Sequence, residues 1–260
     1  MIEIVSWGVA GAVRDGGRPG LAHLGRSRGG AVDLDALRLG NRLLGNDPDA
    51  AGIETSGGLT VRTSVPVMVA ITGSPADLTV VDGPPVGWGA PAVLPAGAML
   101  RVGRLLGGAR TYVAVRGGLS VDDLGVRAGP DPGTPASHEV AAPRVSDHVV
   151  RVWRGPRLDW FVPGAWEQLT AVSWEVRADS DRVGVRLAGP RLERAISREL
   201  PSEGLVEGSI QVPPDGQPIV MLADHPVTGG YPVIAVVDPA SSWVLAQAPP
   251  GTRLRFRPVR

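Results

Sequence analysis

The sequence predicts a mainly β protein, and three observations carry that expectation. Turn formers are abundant, with 36 Gly and 25 Pro, and they are spread along the chain instead of collected in one linker. Between them lie apolar runs of four to eight residues, which is strand length, rich in Val and Ile. Only one segment, residues 34–44, carries a sustained helical pattern.

The helix is justified by its ends as much as by its face. Leu34, Leu37, Leu43 and Leu44 fall on one side, Asp33 stands at the N-cap position, and Gly45-Asn46 follows as a stop. Before it, residues 1–13 alternate enough for an edge strand. After it, strands are expected at 52–56, 59–62, 65–72, 78–81, 98–102 and 112–115. Glu54 lies in one of these apolar runs, where a buried carboxylate needs a partner, and an arginine is expected to supply it.

Residues 117–147 turn glycine-, proline- and serine-rich and mark a boundary, giving an amino-terminal β lobe over 1–147 and a carboxy-terminal one over 148–260. The second lobe opens with a strand at 149–153. Pro163 and Gly164 then divide 158–169 into a helical turn and a short helix. Strands follow around 174–176, 209–212, 219–223 and 233–237, and 254–256 closes the lobe.

Composition removes several chemistries. The formal charge is zero at a pI near 6.9, so no single-sign field favours nucleic acid or an anionic membrane. No lysine occurs, so all 26 basic residues are arginine; a phosphate-loop lysine and a Schiff base are excluded. Without cysteine there are no disulfides or thiolates, and four histidines argue against a structural metal. No apolar stretch approaches the ~20 residues of a membrane span, and the first residues lack a signal-peptide pattern, so a cytoplasmic protein is expected.

Residues 202–237 hold the densest candidate site. Pro213-Pro214-Asp215-Gly216 reads as a hairpin turn: proline pre-sets φ, aspartate closes an Asx turn, and glycine takes φ > 0. A hairpin there returns the flanking segments to one end of the sheet. Glu203, Asp224, His225 and Thr228 then become neighbours, beside Gly229 and Gly230, with Gln211 nearby: a carboxylate pair, an imidazole and a hydroxyl in one cleft. Turn capping by Asp224 and Thr228 is the plainer alternative. A second glycine-rich turn, residues 14–20, presents Asp15 and Arg18, and is expected to face the same cleft. Arg182 and Arg186 could each hold a carboxylate bidentately or form a surface pair.

The run Ser202-Glu203-Gly204, Gly208, Ile210-Gln211-Val212-Pro213, Asp215-Gly216-Gln217-Pro218-Ile219, Asp224, Thr228-Gly229-Gly230-Tyr231-Pro232 and Leu245-Ala246-Gln247 resembles a known signature. It is similar to the biotin-dependent-carboxyltransferase-like family that includes the C-subunit of bacterial ATP-dependent 5-oxoprolinase, also called allophanate hydrolase subunit 2 or KipA-like. Asp15-Gly16-Gly17-Arg18 and Ser180-Asp181-Arg182 through Leu187 resemble further family runs. Two places depart from it: Arg26-Ser27-Arg28-Gly29, where relatives carry a Val-Pro-X-Ser run, and residues 125–129, where a longer loop is usual.

The resemblance implies a cyclophilin-like β-barrel in the carboxy-terminal half, two packed β lobes and a few short helices. It also implies a component of an ATP-dependent amidohydrolase that opens the lactam 5-oxoproline to glutamate with a subunit-B-like (KipI-like) partner. ATP, with Mg as an optional companion, enters at the level of the complex. On this reading Asp224 and Glu203 are catalytic, Arg18 and Arg182 hold anions, and Gln211 and Thr228 position substrate, with Asp15, His225, Gly229 and Gly230 also in contact. The alternatives implied are a KipA-like regulator antagonising a kinase inhibitor and allophanate- or urea-related amide chemistry. A hetero-complex would need exposed anchors, and of the seven tryptophans Trp7, Trp88 and Trp160, each beside a turn, are the best candidates, although core packing is the commoner fate of any single one.

Overall fold

The computed structural model describes residues 2–122, 125–128 and 141–259; His138 and most of the connector after Arg127 lie outside them. The chain divides into two compact units. One comprises Met1–Gly17 with Asp33–Val145, the other Arg18–Val32 with Ser146–Arg260. Where the sequence suggested one cut at 147, the chain thus changes unit three times.

The first unit contains β1 (Ile2–Ser6), β2 (Ala12–Arg14), α1 (Leu34–Leu44), β3 (Gly52–Thr55), β4 (Leu59–Thr63), β5 (Val67–Gly73), β6 (Ala76–Val81), β7 (Pro91–Leu94), β8 (Met99–Leu105), β9 (Thr111–Val115), β10 (Leu119–Asp122) and β11 (Gly125–Ala128). They form a six-stranded sheet, β10-β11-β1-β4-β8-β6, and a five-stranded sheet, β2-β3-β9-β5-β7. One core joins the sheets: Leu59, Val61, Leu100 and Val102 of the first meet Val69, Ile71, Val113 and Val115 of the second. The opposite-facing Met68, Ala70 and Ala114 pack on Leu43 and Leu44 of α1. Burial on both faces explains why β5 and β9 read as unbroken apolar runs.

Helix α1 has the expected ends: Asp33 accepts from the Ala36 N–H at 3.1 Å, and Gly45 is left-handed at φ 71°. The expected single edge strand over 1–13 is instead two strands in different sheets. β1 is interior, between β11 and β4, and only β2 is an edge. Gly8 lets the chain leave β1: its φ is 65°, and a Cβ there would sit 2.2 Å from the Gly57 carbonyl oxygen.

Glu54 is buried, and the Tyr112 hydroxyl donates to it at 2.6 Å while Arg110 pairs with it at 3.7 Å. The arginine is present as expected, and the tyrosine is the nearer partner. That hydroxyl also accepts from the Asp33 N–H at 2.8 Å, tying the start of α1 to the sheet. Burial first, and the Glu54 charge second, push the Tyr112 pKa well above its usual value.

The second unit contains β12 (Val149–Arg154), α2 (Ala165–Ala171), β13 (Ser173–Val176), β14 (Gly184–Ala188), β15 (Glu203–Gly204), β16 (Ser209–Gln211), β17 (Ile219–Met221), β18 (Thr228–Gly229), β19 (Val233–Val237), α3 (Ser242–Ala246) and β20 (Arg253–Pro258). Seven of its strands close a barrel in the order β12-β19-β16-β17-β14-β13-β20, and β20 returns to β12 in parallel, Val150 opposite Phe256. The barrel expected in the carboxy-terminal half is therefore present. Val150, Trp174, Leu187, Ile210, Val220 and Phe256 belong to its core. Alternation along β12 puts Val150 and Val152 inside and leaves Trp153 outside, 49 % exposed.

Two of the three expected tryptophan anchors are not exposed. Trp160 lies in the barrel core at 4 % exposure, carried inward by a helical turn, and Trp88 packs on the first unit's core with its Nε1 donating to the Gly73 carbonyl. Trp7 is 41 % exposed. Among the described residues, no helix is long and apolar enough to cross a membrane.

Candidate functional site

The hairpin read from the sequence forms the frame. β16 pairs with β17, Gln211 opposite Ile219. In the turn the Gly216 N–H bonds to the Pro213 carbonyl at 3.0 Å, and Asp215 accepts from the Gln217 N–H at 3.0 Å. Gly216 has φ 77°, as the turn requires.

The segments flanking this hairpin do meet. β15 pairs antiparallel with β18, placing Glu203 opposite Gly229 and Gly204 opposite Thr228. Gln211 is buried beside them, and its Nε2 donates to the Tyr231 carbonyl at 2.8 Å. Gly229 must be glycine for lack of space: a Cβ there would lie 2.7 Å from both Gln211 Nε2 and Leu205 Cδ1. Gly229→Ala is expected to destabilise by about 1–3 kcal/mol, because Gln211 is bonded and cannot swing away freely. Calorimetric unfolding checks this, and a Tm equal to wild type would contradict the packing.

Each candidate carboxylate is held by its own arginine. Arg157 grips Glu203 with both arms of its fork, Nε to Oε2 at 2.9 Å and Nη2 to Oε1. That hydrogen bonding holds the Glu203 carboxyl below the usual glutamate range and raises the Arg157 pKa. Arg182 grips Asp224, Nε to Oδ2 at 2.9 Å and Nη2 to Oδ1 at 3.3 Å, and donates from Nη2 to the Gly30 carbonyl at 2.5 Å. Two carboxylates on separate guanidinium forks are not a pair sharing one proton. Arg186 takes the surface alternative, 3.9 Å from Asp179.

His225 follows Asp224 and is buried; its backbone N–H bonds to the Leu222 carbonyl and its Nδ1 to the Pro226 carbonyl at 2.8 Å. Thr228 and Gly230 lie on the same run, Thr228 exposed and Gly230 half-buried. Arg18 is exposed on the Arg18–Val32 segment, its backbone N–H bonded to the Arg28 carbonyl at 2.7 Å. Asp15 accepts from the Gly17 N–H at 2.9 Å and belongs to the first unit.

Three participants escaped the sequence reading. Arg157 has no spacing that would flag it as the partner of Glu203. Arg28 pairs bidentately with Glu207, 179 residues away, at 2.8 and 3.2 Å, and fastens the Arg18–Val32 segment to the barrel unit together with the Gly29 N–H to Ala223 carbonyl bond. The Arg26-Gly29 departure is thus in part a structural tie. Arg194 lies over the Tyr231 ring at 5.8 Å and donates to the Val212 carbonyl at 3.1 Å; burial lowers its pKa. Among the described residues, no cluster of three or more His, Asp or Glu could hold a metal.

Two antiparallel sheets over one core, followed by a closed barrel carrying the Glu203–Tyr231 constellation, define a carboxyltransferase-like protein. The chain belongs to the family described as carboxyltransferase domain, subdomain A and B, whose model matches residues 24–129 and 122–258. It is 35 % identical to the 5-oxoprolinase C-subunit of Escherichia coli, with 98 % of this chain and 90 % of that one aligned. Urea amidolyase of Saccharomyces cerevisiae is 29 % identical over 99 % of this chain and 16 % of its own length. Among solved structures, TTHA0988 superposes with a TM-score of 0.86 at 32 % identity, covering 98 % of this chain and 55 % of that one. The K. lactis urea amidolyase gives a TM-score of 0.86 at 26 % identity; this chain spans 19 % of its length.

Proposed function

We propose that this chain is the C-subunit-like component of an ATP-dependent amidohydrolase that opens a lactam of the 5-oxoproline type, working with a subunit-B-like (KipI-like) partner. The observation that carries this reading is the near end-to-end match to the 5-oxoprolinase C-subunit, 90 % of that chain. A lactam carbonyl is a poor electrophile, so such a site needs polar groups that orient the ring and a group that moves a proton. Gln211, Thr228 and the backbone at Gly229 and Gly230 are suited to orientation, and Arg18 to an anionic carboxylate.

ATP is a co-substrate in this proposal and belongs to the complex. The forks of Arg28, Arg157 and Arg182 are occupied by Glu207, Glu203 and Asp224, which fits poorly with a triphosphate held by these arginines. One observation favours a second reading, a KipA-like regulatory binder: both candidate catalytic carboxylates are neutralised by arginine. The match to urea amidolyase supports the third, urea-related amide chemistry.

Co-expression with a candidate partner, followed by assay of 5-oxoproline-dependent ATP hydrolysis and glutamate release, tests the proposal. Turnover is expected from the complex and not from this chain alone. Full turnover by the isolated chain would overturn the shared-assembly reading, and a stable complex without turnover would favour regulation.

A further inference from the structure

The outside of the barrel carries a row of like charges. Alternation along β20 turns Leu254 and Phe256 into the core and leaves Arg253, Arg255 and Arg257 exposed. Three successive outward positions are thus arginine, spanning about 13 Å at the rise of a strand. On the flanking strand β12, Arg151 and Trp153 are exposed on the same face, with Arg151 opposite Arg257 in register. On the other side, β13 sets Ser173 opposite Arg255 and Glu175 opposite Arg253.

Other arginines on the surface of this unit have carboxylate partners. Arg151 pairs with Asp238 at 2.8 Å, and Arg177 and Arg186 both reach Asp179. Among the described residues, Arg253, Arg255 and Arg257 make no ion pair and no side-chain hydrogen bond. Successive arginines of the row stand about 7 Å apart along the strand, inside the ~8 Å screening length of physiological salt. Arg257 also faces Arg151 across the ladder, and like charges in that position are destabilising. Protection of a sheet edge does not account for the row, because β20 lies between β12 and β13 with ladders on both sides.

A row of guanidinium forks fits a row of carboxylates, each of which a fork can hold bidentately. The outside of a closed barrel is convex, unlike the concave sites that enclose small anions. Zero formal charge gives the chain no long-range field toward nucleic acid. Trp153, 49 % exposed and opposite Val236 in register, supplies the apolar contact typical of a protein interface. We propose that the outer face of β12 and β20 is where the subunit-B-like partner docks, through a carboxylate-bearing segment laid along Arg253, Arg255 and Arg257 beside Trp153. This inference rests on the shared-assembly reading above and names the surface that the assembly uses.

The double variant Arg255→Glu, Arg257→Glu tests it, with Arg104→Glu on the first unit, 81 % exposed, as the control. Binding of each purified chain to the candidate subunit-B-like chain is measured by titration calorimetry at low and at physiological salt. The double variant should weaken the complex about 30-fold or more, the control less than about threefold, and wild-type affinity should fall as salt rises. Because the reversal relieves repulsion within the row, the Tm of the isolated double variant should not fall, which separates lost docking from lost folding. A wild-type complex that the double variant also forms, within about threefold, would overturn this inference alone. No complex with the wild-type chain would overturn the shared-assembly reading and this inference with it. Binding of a fluorescent RNA oligonucleotide that the double variant loses, with partner affinity unchanged, would instead assign the face to nucleic acid and overturn the proposal. Phenylglyoxal labelling read by mass spectrometry needs no variant: Arg255 and Arg257 should react at least about fivefold more slowly in the complex than in the isolated chain. Equal labelling in both would contradict docking here.

Discussion

Arg182→Met is expected to destabilise the protein by about 2–3 kcal/mol, lowering Tm by about 4–12 °C. The substitution preserves much of the side-chain stem and removes the hydrogen bonds to both Asp224 carboxylate oxygens and to the Gly30 carbonyl. Breaking a fully buried pair costs more, but the Asp224 side chain is 31 % exposed and water recovers part of the loss. The effect should be local as well as global. The Gly29 amide, bonded to the Ala223 carbonyl next to Asp224, should exchange faster in the variant. An unchanged Tm with unchanged Gly29 protection would show that Arg182 does not hold this segment.

A larger loss is expected from Trp174→Ala, about 3–5 kcal/mol. Trp174 is fully buried in the barrel, its Nε1 donates to the Leu169 carbonyl at 2.9 Å, and its ring lies so close to Gly189 that a Cβ there would be 2.5 Å from it. Removing the ring leaves a cavity between β13 and α2 and an unpaired carbonyl. Trp174→Phe keeps most of the volume and should cost far less. Equal stability of the alanine and phenylalanine variants in calorimetry would mean that the barrel core is not packed around this ring.

Local signals were legible in the sequence. Helix α1 was readable because Asp33 and Gly45 mark its ends independently of anything else in the fold, and the β16–β17 hairpin because Pro213-Pro214-Asp215-Gly216 specifies its own turn. Many strand positions followed from short apolar runs, though β7 and β14 were not among the expected strands, and β5 and β9 were clear because both of their faces are buried. The neighbourhood of Glu203, Gln211, Thr228 and Gly229 followed from the hairpin's geometry.

What escaped depends on contacts that leave no local trace. Nothing near Glu203 points to Arg157, and nothing near Arg28 points to Glu207. The grouping of Arg18–Val32 with the barrel unit rests on such long-range ties, in a stretch without period or composition shift. Adjacency to a turn does not by itself expose Trp160: the helical turn at Leu158–Trp160 points the ring into the core, the alternative weighed beside the anchor reading. The pairing of Glu203 with Gly229 was thus easier to infer than the arginine partners of Glu203 and Asp224.

On the proposed function, the barrel unit's Glu203-to-Tyr231 constellation takes up the lactam. Hydrogen–deuterium exchange of the assembled complex, with and without 5-oxoproline and ATP, tests it most directly. Protection is expected at the amides of residues 203–204, 211 and 224–231 in the ligand-bound sample. A footprint on this chain confined to strands β1–β11, with those amides unchanged, would contradict the account.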